Sequence, residues 1–197
     1  MVAHTEQLLF FIISLAHSIT ADSKRPIRIL EIGGGTGGTT APLISALENA
    51  KIPASYTFTD IEPSFVSRVE VRWASNEWMK FSVLDIENNM PESFHEQYEI
   101  AIGTNVTRRC PYPFELTHPI DWYNICFGLL DGWWLADGGK GYAIQPPQVW
   151  MEAFKSAGFR RTGYSSGDTD EANTQQLLVG LKISMYDSKY FENNSNL

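Results

Sequence analysis

The chain has 197 residues and a formal net charge of −8, set by 15 Lys and Arg against 23 Asp and Glu. That balance argues against nucleic acid as a partner, because neutralising phosphates takes clustered basic side chains. A content of 43% hydrophobic and 13% aromatic residues excludes a disordered composition and supports one packed domain.

The first element is a helix expected over 5–20. Leu8, Phe11, Ile12, Leu15 and Ile19 recur at helical spacing on one face, which suits packing against a sheet. The apolar run from Leu8 to Ala16 has no Lys or Arg before it and is far short of a membrane span, so it reads as an amphipathic helix on the sheet, with a secretory signal the lesser alternative. Pro26 then marks entry into a strand, 27–32.

That strand runs into Gly33-Gly-Gly-Thr-Gly-Gly38, and a helix is expected over 39–50. Glycines at 33, 35 and 37 let the backbone take positive φ and pass close to a ligand. The following helix N-terminus favours negative charge. Glycine spacing alone also fits the dinucleotide pattern. Glu31, two residues before the first glycine, suits the amino group of S-adenosylmethionine better than a pyrophosphate.

Three further strands each end in a polar group. The run 55–60 ends in Asp60, about 20 residues past the glycines, where a carboxylate accepts ribose hydroxyls. Pro63 opens the next helix, 63–75. The run 79–84 is followed by Asp85 and Ile86, which suit an adenine ring: a carboxylate for the exocyclic amine and an aliphatic face for stacking. The run 98–104 is followed by Asn105. Asp60 and Asp85 have a competing use as helix caps; their order after the glycine turn favours the cofactor reading. Alternating strand and helix implies parallel βαβ units, an α/β fold with a mostly parallel sheet and helices on both faces.

The second half changes character. An aromatic segment spans 121–134, with Trp122, Tyr123, Phe127, Trp133 and Trp134, and glycines at 138, 139 and 141 follow. The segment reads either as core or as a lid over an apolar substrate. A helix from Pro147 stops at Gly158, and strands are expected at 162–166 and 175–183. The whole is expected as one domain over 1–187, with the N-terminal helix in 1–24, the cofactor half in 25–110 and lid plus late strands in 111–187. A frayed polar tail occupies 188–197. Cys110 and Cys126 are too few for a disulfide framework, and His4, His17, His95 and His118 show no metal-ligand pattern, as expected of a cytoplasmic protein that holds no metal.

The runs Ile29–Thr40, Tyr56–Ile61, Trp78–Phe81, Leu84–Glu87 and Phe127–Leu135 together resemble the C-methyltransferase domain of fungal iterative polyketide synthases of the non-reducing type. The Gly132-Trp133-Trp134 element is the most distinctive of them. The resemblance implies a Rossmann-like class I methyltransferase fold and S-adenosylmethionine as cofactor. It also implies methyl transfer to an activated α-carbon of a β-ketoacyl substrate, free or tethered to a carrier protein, with a polyketide synthase or pathway enzyme as partner. Cofactor contacts then fall to Glu31, Gly33, Gly35, Gly37, Asp60, Asp85, Ile86 and Asn105. The family's base is a His in an Asn-x-x-His pattern, partnered by a Glu on the next strand. Asn105 and Glu115 match, but position 108 is Arg. His118 is a stand-in for the base or a loop histidine without a role.

Only 106–113 separate Asn105 from Phe114, too few for a parallel crossover of a dozen or more residues. Strands four and five are therefore expected to lack their central crossover or to be rearranged. Two other functions fit the same residues: a catalytically silent accessory protein, and an O- or N-methyltransferase acting on a small metabolite.

Overall fold

Residues 27–32 are Ile-Arg-Ile-Leu-Glu-Ile, and they form β1 (Ile27–Ile32) with nearly every side chain buried. Consecutive burial of this kind means both faces of the strand are covered, as in parallel sheets. The computed structural model describes residues 2–23, 25–86, 91–94, 98–104, 113–118, 144–170 and 173–181. The aromatic segment 121–134, the glycines after it, the connection 105–112 with Asn105, and the tail lie outside these.

Two units divide the chain, Met1–Pro113 and Phe114–Leu197. In the first, α1 (Val2–Ser23) is followed by β1, α2 (Thr40–Asn49), β2 (Ala54–Asp60), α3 (Pro63–Arg72), β3 (Met79–Val83), a 3-10 turn at Glu92–Phe94 and β4 (Ile100–Thr104). The strand order is β3-β2-β1-β4, and all three pairings are parallel. The chain thus winds outward from β1 to β3, then returns to the other side of β1. Such a reversal opens a crevice at the carboxyl ends of the two central strands.

Local chemistry explains the helices. In α2 the buried residues are Thr40, Leu43, Ile44 and Leu47, one stripe at i, i+3, i+4 and i+7. α3 begins on Pro63, whose fixed φ suits the first turn, and the Glu62 carboxylate accepts from the Ser64 amide at 3.3 Å. α1 packs on α2 and β1, with Ile12 and Ala16 fully buried. At the amino-terminal ends of the strands, Glu99 ties β1 to the approach of β4. Its Oε2 accepts from the Arg28 amide at 2.8 Å, Arg28 Nε reaches the same oxygen at 3.1 Å, and Arg25 stands 3.0 Å from Oε1.

In the second unit, β5 (Pro113–Leu116), α4 (Pro147–Ser156), β6 (Arg161–Tyr164) and β7 (Gln175–Leu181) follow in turn. β7 lies between β5 and β6, antiparallel to both. Proline is tolerated in β5 because it is the strand's first residue. α4 ends at Gly158, φ 89°, with the Phe159 amide donating back to the Phe154 carbonyl at 3.0 Å. Its face, Trp150, Met151 and Phe154, packs with Leu178 and Phe159.

Candidate functional site

The glycine turn is built from the face of β2 that carries Tyr56, Phe58 and Asp60, alternate residues of one strand. All three are buried, and each supports a different part of the turn. The Tyr56 hydroxyl donates to Glu31 Oε2 at 2.7 Å. Phe58 fills the space beside Gly34, where an added Cβ would come within 2.1 Å of its ring. Asp60 Oδ2 accepts from the Gly35 amide at 2.8 Å, and Oδ1 accepts from the Glu62 amide at 2.8 Å.

The backbone follows from these anchors. Gly33, Gly35 and Gly37 have φ of 63°, 55° and 80°, the left-handed region that glycine enters without a Cβ clash. The Gly34 amide donates to the Thr59 carbonyl and the Gly37 amide to the Gly34 carbonyl. Beside Gly35 and Gly38, open space lies where a Cβ would stand. The turn is therefore held from below by β2 and open above, a cradle that a ligand can approach at backbone distance.

Glu31 is the penultimate residue of β1, within its buried run, and is 2% exposed. Oε2 accepts from Thr40 Oγ1 at 2.6 Å as well as from Tyr56. Burial pushes its carboxyl up to about 7, the two hydroxyls oppose that shift, and the charge of Asp60 adds to it. The Tyr56 hydroxyl is pushed well above its ordinary range, by burial first and then by Glu31, so it remains a donor.

The expected residues now have places. Glu31, Gly33, Gly35, Gly37 and Asp60 come together at the carboxyl ends of β1 and β2. Asp60 does not cap α3, because Glu62 holds that position. Asp85 and Ile86 follow β3, the neighbour of β2. Ile86 is 9% exposed and clusters with Leu30, Ile32 and Leu84. Glu115 lies on β5 of the second unit, opposite Gln176 in the register. His118 follows that strand and is exposed, its amide 3.4 Å from the Thr174 carbonyl. Beside it, Thr117 is buried and its hydroxyl lies 2.7 Å from Gln176 Oε1.

Three residues, Thr40, Tyr56 and Ile61, lie within the motif runs, but the sequence assigns them no part in the site. Thr40 and Tyr56 were legible only as helix and strand positions, although period-two spacing from Asp60 places Tyr56 on the same face. Ile61, directly after Asp60, is 62% exposed, and only the tertiary structure shows an apolar side chain open at that strand end. Among the described residues, no group of His, Cys, Asp or Glu is placed to hold a metal ion, and no helix is long and apolar enough to cross a membrane.

No family model matches the chain. It is 36% identical to the non-reducing polyketide synthase atr1 of Stereocaulon alpinum, across 89% of this chain and 8% of that protein. It is 32% identical to the citrinin polyketide synthase of Monascus ruber, across 89% of this chain and 8% of that protein. Among solved structures, the CMeT domain of the citrinin polyketide synthase superposes with a TM-score of 0.80 at 30% identity, over 90% of this chain and 52% of that one. The trans-methyltransferase CalH, solved in complex with SAH, gives 0.66 at 29% identity over 82% and 52%. The chain spans less than a tenth of the curated synthases it matches and about half of the solved domain. The α/β sheet of the first unit is the Rossmann-like class I methyltransferase fold, and the chain is homologous to the C-methyltransferase region of the fungal non-reducing polyketide synthases.

Proposed function

We propose that the chain binds S-adenosylmethionine and transfers its methyl group to an activated α-carbon of a β-ketoacyl substrate in polyketide biosynthesis. One observation carries this: a backbone cradle open to a ligand follows β1 and is bonded directly to a carboxylate at the end of β2.

The donor set fits the cofactor. Gly33, Gly35 and Gly37 admit the methionine portion at backbone distance, with the buried acid Glu31 beneath its ammonium group. Asp60 retains acceptor capacity beyond its two amide bonds, which suits ribose hydroxyls. Asp85 with Ile86 serves the adenine end, and the exposed Ile61 adds an aliphatic surface there. Asn105 is assigned to the same crevice by its position after β4. When bound, the cofactor supplies an electrophilic methyl group at a sulfonium centre. The protein's own contribution is to bind, to orient and to keep water away, and orientation alone supplies much of the rate in such transfers.

The α-carbon must lose a proton for the new carbon–carbon bond to form. The family pattern assigns that step to a His that this chain replaces with Arg108. Glu115 is the surviving partner of that pair and His118 the nearest imidazole in sequence. The substrate comes as a polyketide-type acyl chain, free or carried by a partner protein.

Calorimetric titration with S-adenosylmethionine, followed by incubation with a β-ketoacyl thioester and deuterated-methyl cofactor, tests the proposal. Saturable binding and label on the α-carbon are expected. Label on oxygen would move the assignment to an O-methyltransferase, binding without turnover would make the chain an accessory protein, and absence of binding would overturn the reading.

A further inference from the structure

The Glu31 carboxylate is clamped from two other elements. Thr40 reaches it from the first residue of α2 and Tyr56 from the middle of β2, and both hydroxyls donate to the same oxygen, Oε2, at 2.6 and 2.7 Å. Thr40 and Tyr56 are 0% exposed, so these bonds form where water does not compete. The turn 33–38 leaves β1 directly after Glu31 and Ile32 and enters α2 at Thr40, so the Glu31–Thr40 bond closes the loop at its base. The Tyr56 bond fixes that closed loop to the same face of β2 that carries Phe58 and Asp60.

We propose that Tyr56 and Thr40 are positioning residues: through Glu31 they hold the glycine turn and the start of α2 in the shape that takes the methionine end of the cofactor. This rests on the cofactor reading given above. Each hydroxyl acts through its bond to the carboxylate. A buried acid held by two hydroxyl donors is also held at a particular ionisation. Loss of either donor raises the pH at which Glu31 ionises, whereas loss of a mere space-filling contact leaves that pH alone. The groups facing Glu31 are Tyr56 and Asp60 from β2 and Thr40 from α2. On the β4 side its register partner is the apolar Ile102, and α1 contributes Ile12 and Ala16 to the core.

The test uses the ligand-free protein first. Unfolding midpoints are measured from pH 4 to 9 for wild type, Glu31→Gln, Tyr56→Phe, Thr40→Val and Thr40→Ser. Because burial raises the folded-state value, the stability present at low pH declines in the wild type as pH rises towards and through neutrality. Glu31→Gln should remove that decline. Tyr56→Phe and Thr40→Val should extend it to higher pH, and Thr40→Ser should restore the wild-type profile. Cofactor affinity at pH 7 should fall several-fold in Tyr56→Phe and Thr40→Val but not in Thr40→Ser. Unshifted profiles in both hydroxyl-deletion variants, or affinities equal to wild type, would overturn the assignment. A wild type that fails to bind S-adenosylmethionine while its ligand-free profiles shift as described would instead overturn the cofactor reading, so the two failures are separable.

Discussion

The Phe58 ring and Gly34 occupy one space: a Cβ built on Gly34 would stand 2.1 Å from Cε2 and 2.7 Å from Cζ of the ring. Gly34 is not among the turn's positive-φ residues. Its requirement for glycine is therefore steric, whereas Gly33, Gly35 and Gly37 are required by backbone conformation. Motif spacing treats all of these as alike, and only the packing separates them.

Gly34→Ala is accordingly expected to destabilise the first unit by about 1–3 kcal/mol, the range of overpacking in a dense core. Phe58→Leu in the same chain should return part of that loss, because it frees the contested volume. Chemical denaturation of both single variants and the double variant gives the coupling. Additive losses would show that the ring and the glycine do not compete.

Asp60→Asn replaces one carboxylate oxygen by an amide NH2 that faces a backbone N–H, from either Gly35 or Glu62. Two donors cannot bond, and the expected cost is about 1–3 kcal/mol. S-adenosylmethionine binding should weaken beyond what the stability loss explains, since the turn loses its anchor and the ribose its carboxylate. Calorimetry at several temperatures below the unfolding midpoint checks this; an affinity equal to wild type would limit Asp60 to a structural role.

Two acids, Glu31 buried and Glu99 half-buried, act on stability in opposite pH windows. Glu99 is pushed up by burial, but its bonds to Arg28 and the charges of Arg28 and Arg25 prevail and leave it below the usual carboxylate value of 4.5. Its folded-state value is lowered, so its contribution is present above about pH 4.5 and is lost as pH falls through the lower folded value. Glu31, raised to about 7, contributes below about pH 4.5 and loses that contribution as pH rises through 7. Glu99→Gln should cost about 1 kcal/mol at pH 7 and flatten only the acid limb of the stability profile. Urea denaturation midpoints from pH 3 to 8 would show it, and an unchanged acid limb would contradict the role given to the Arg28 pair.

Glu115→Ala is expected to abolish methyl transfer while leaving affinity for S-adenosylmethionine nearly unchanged. A group that serves the proton step contributes about 100- to 10,000-fold to rate, and it makes no contribution to holding the cofactor. Single-turnover assay and calorimetry on the same preparation separate the two effects. Equal loss of both would make Glu115 structural.

Several elements of both units are fixed by local sequence. Strand 27–32, the helix opened by Pro63 and the stop at Gly158 follow from alternation, proline geometry and the left-handed cap, which act within a few residues. The order of β1 to β3 follows from their alternation with helices. The signature of a positive-φ turn between an apolar strand and a helix likewise marked Gly33, Gly35, Gly37 and Asp60 as one site. Residues 113–116 are a different case: the connection 106–113 is too short for a parallel crossover, yet β5 forms because β7 offers an antiparallel partner, a contact more than fifty residues away.

Tertiary structure alone decided what the site's polar groups do. Composition and spacing place Glu31, Tyr56 and Thr40 on separate elements and give no reason for them to meet. Parallel pairing brings β2 alongside β1, and the turn returns the first residue of α2 to Glu31, so two hydroxyls from separate elements share one carboxylate oxygen in a dry interior. Hydrogen bonds gain strength and burial shifts ionisation only in such an environment. The chain by itself marks the glycine turn and the acids proposed to hold a cofactor; the packed sheet determines how firmly the turn is held and at what pH its acid carries charge.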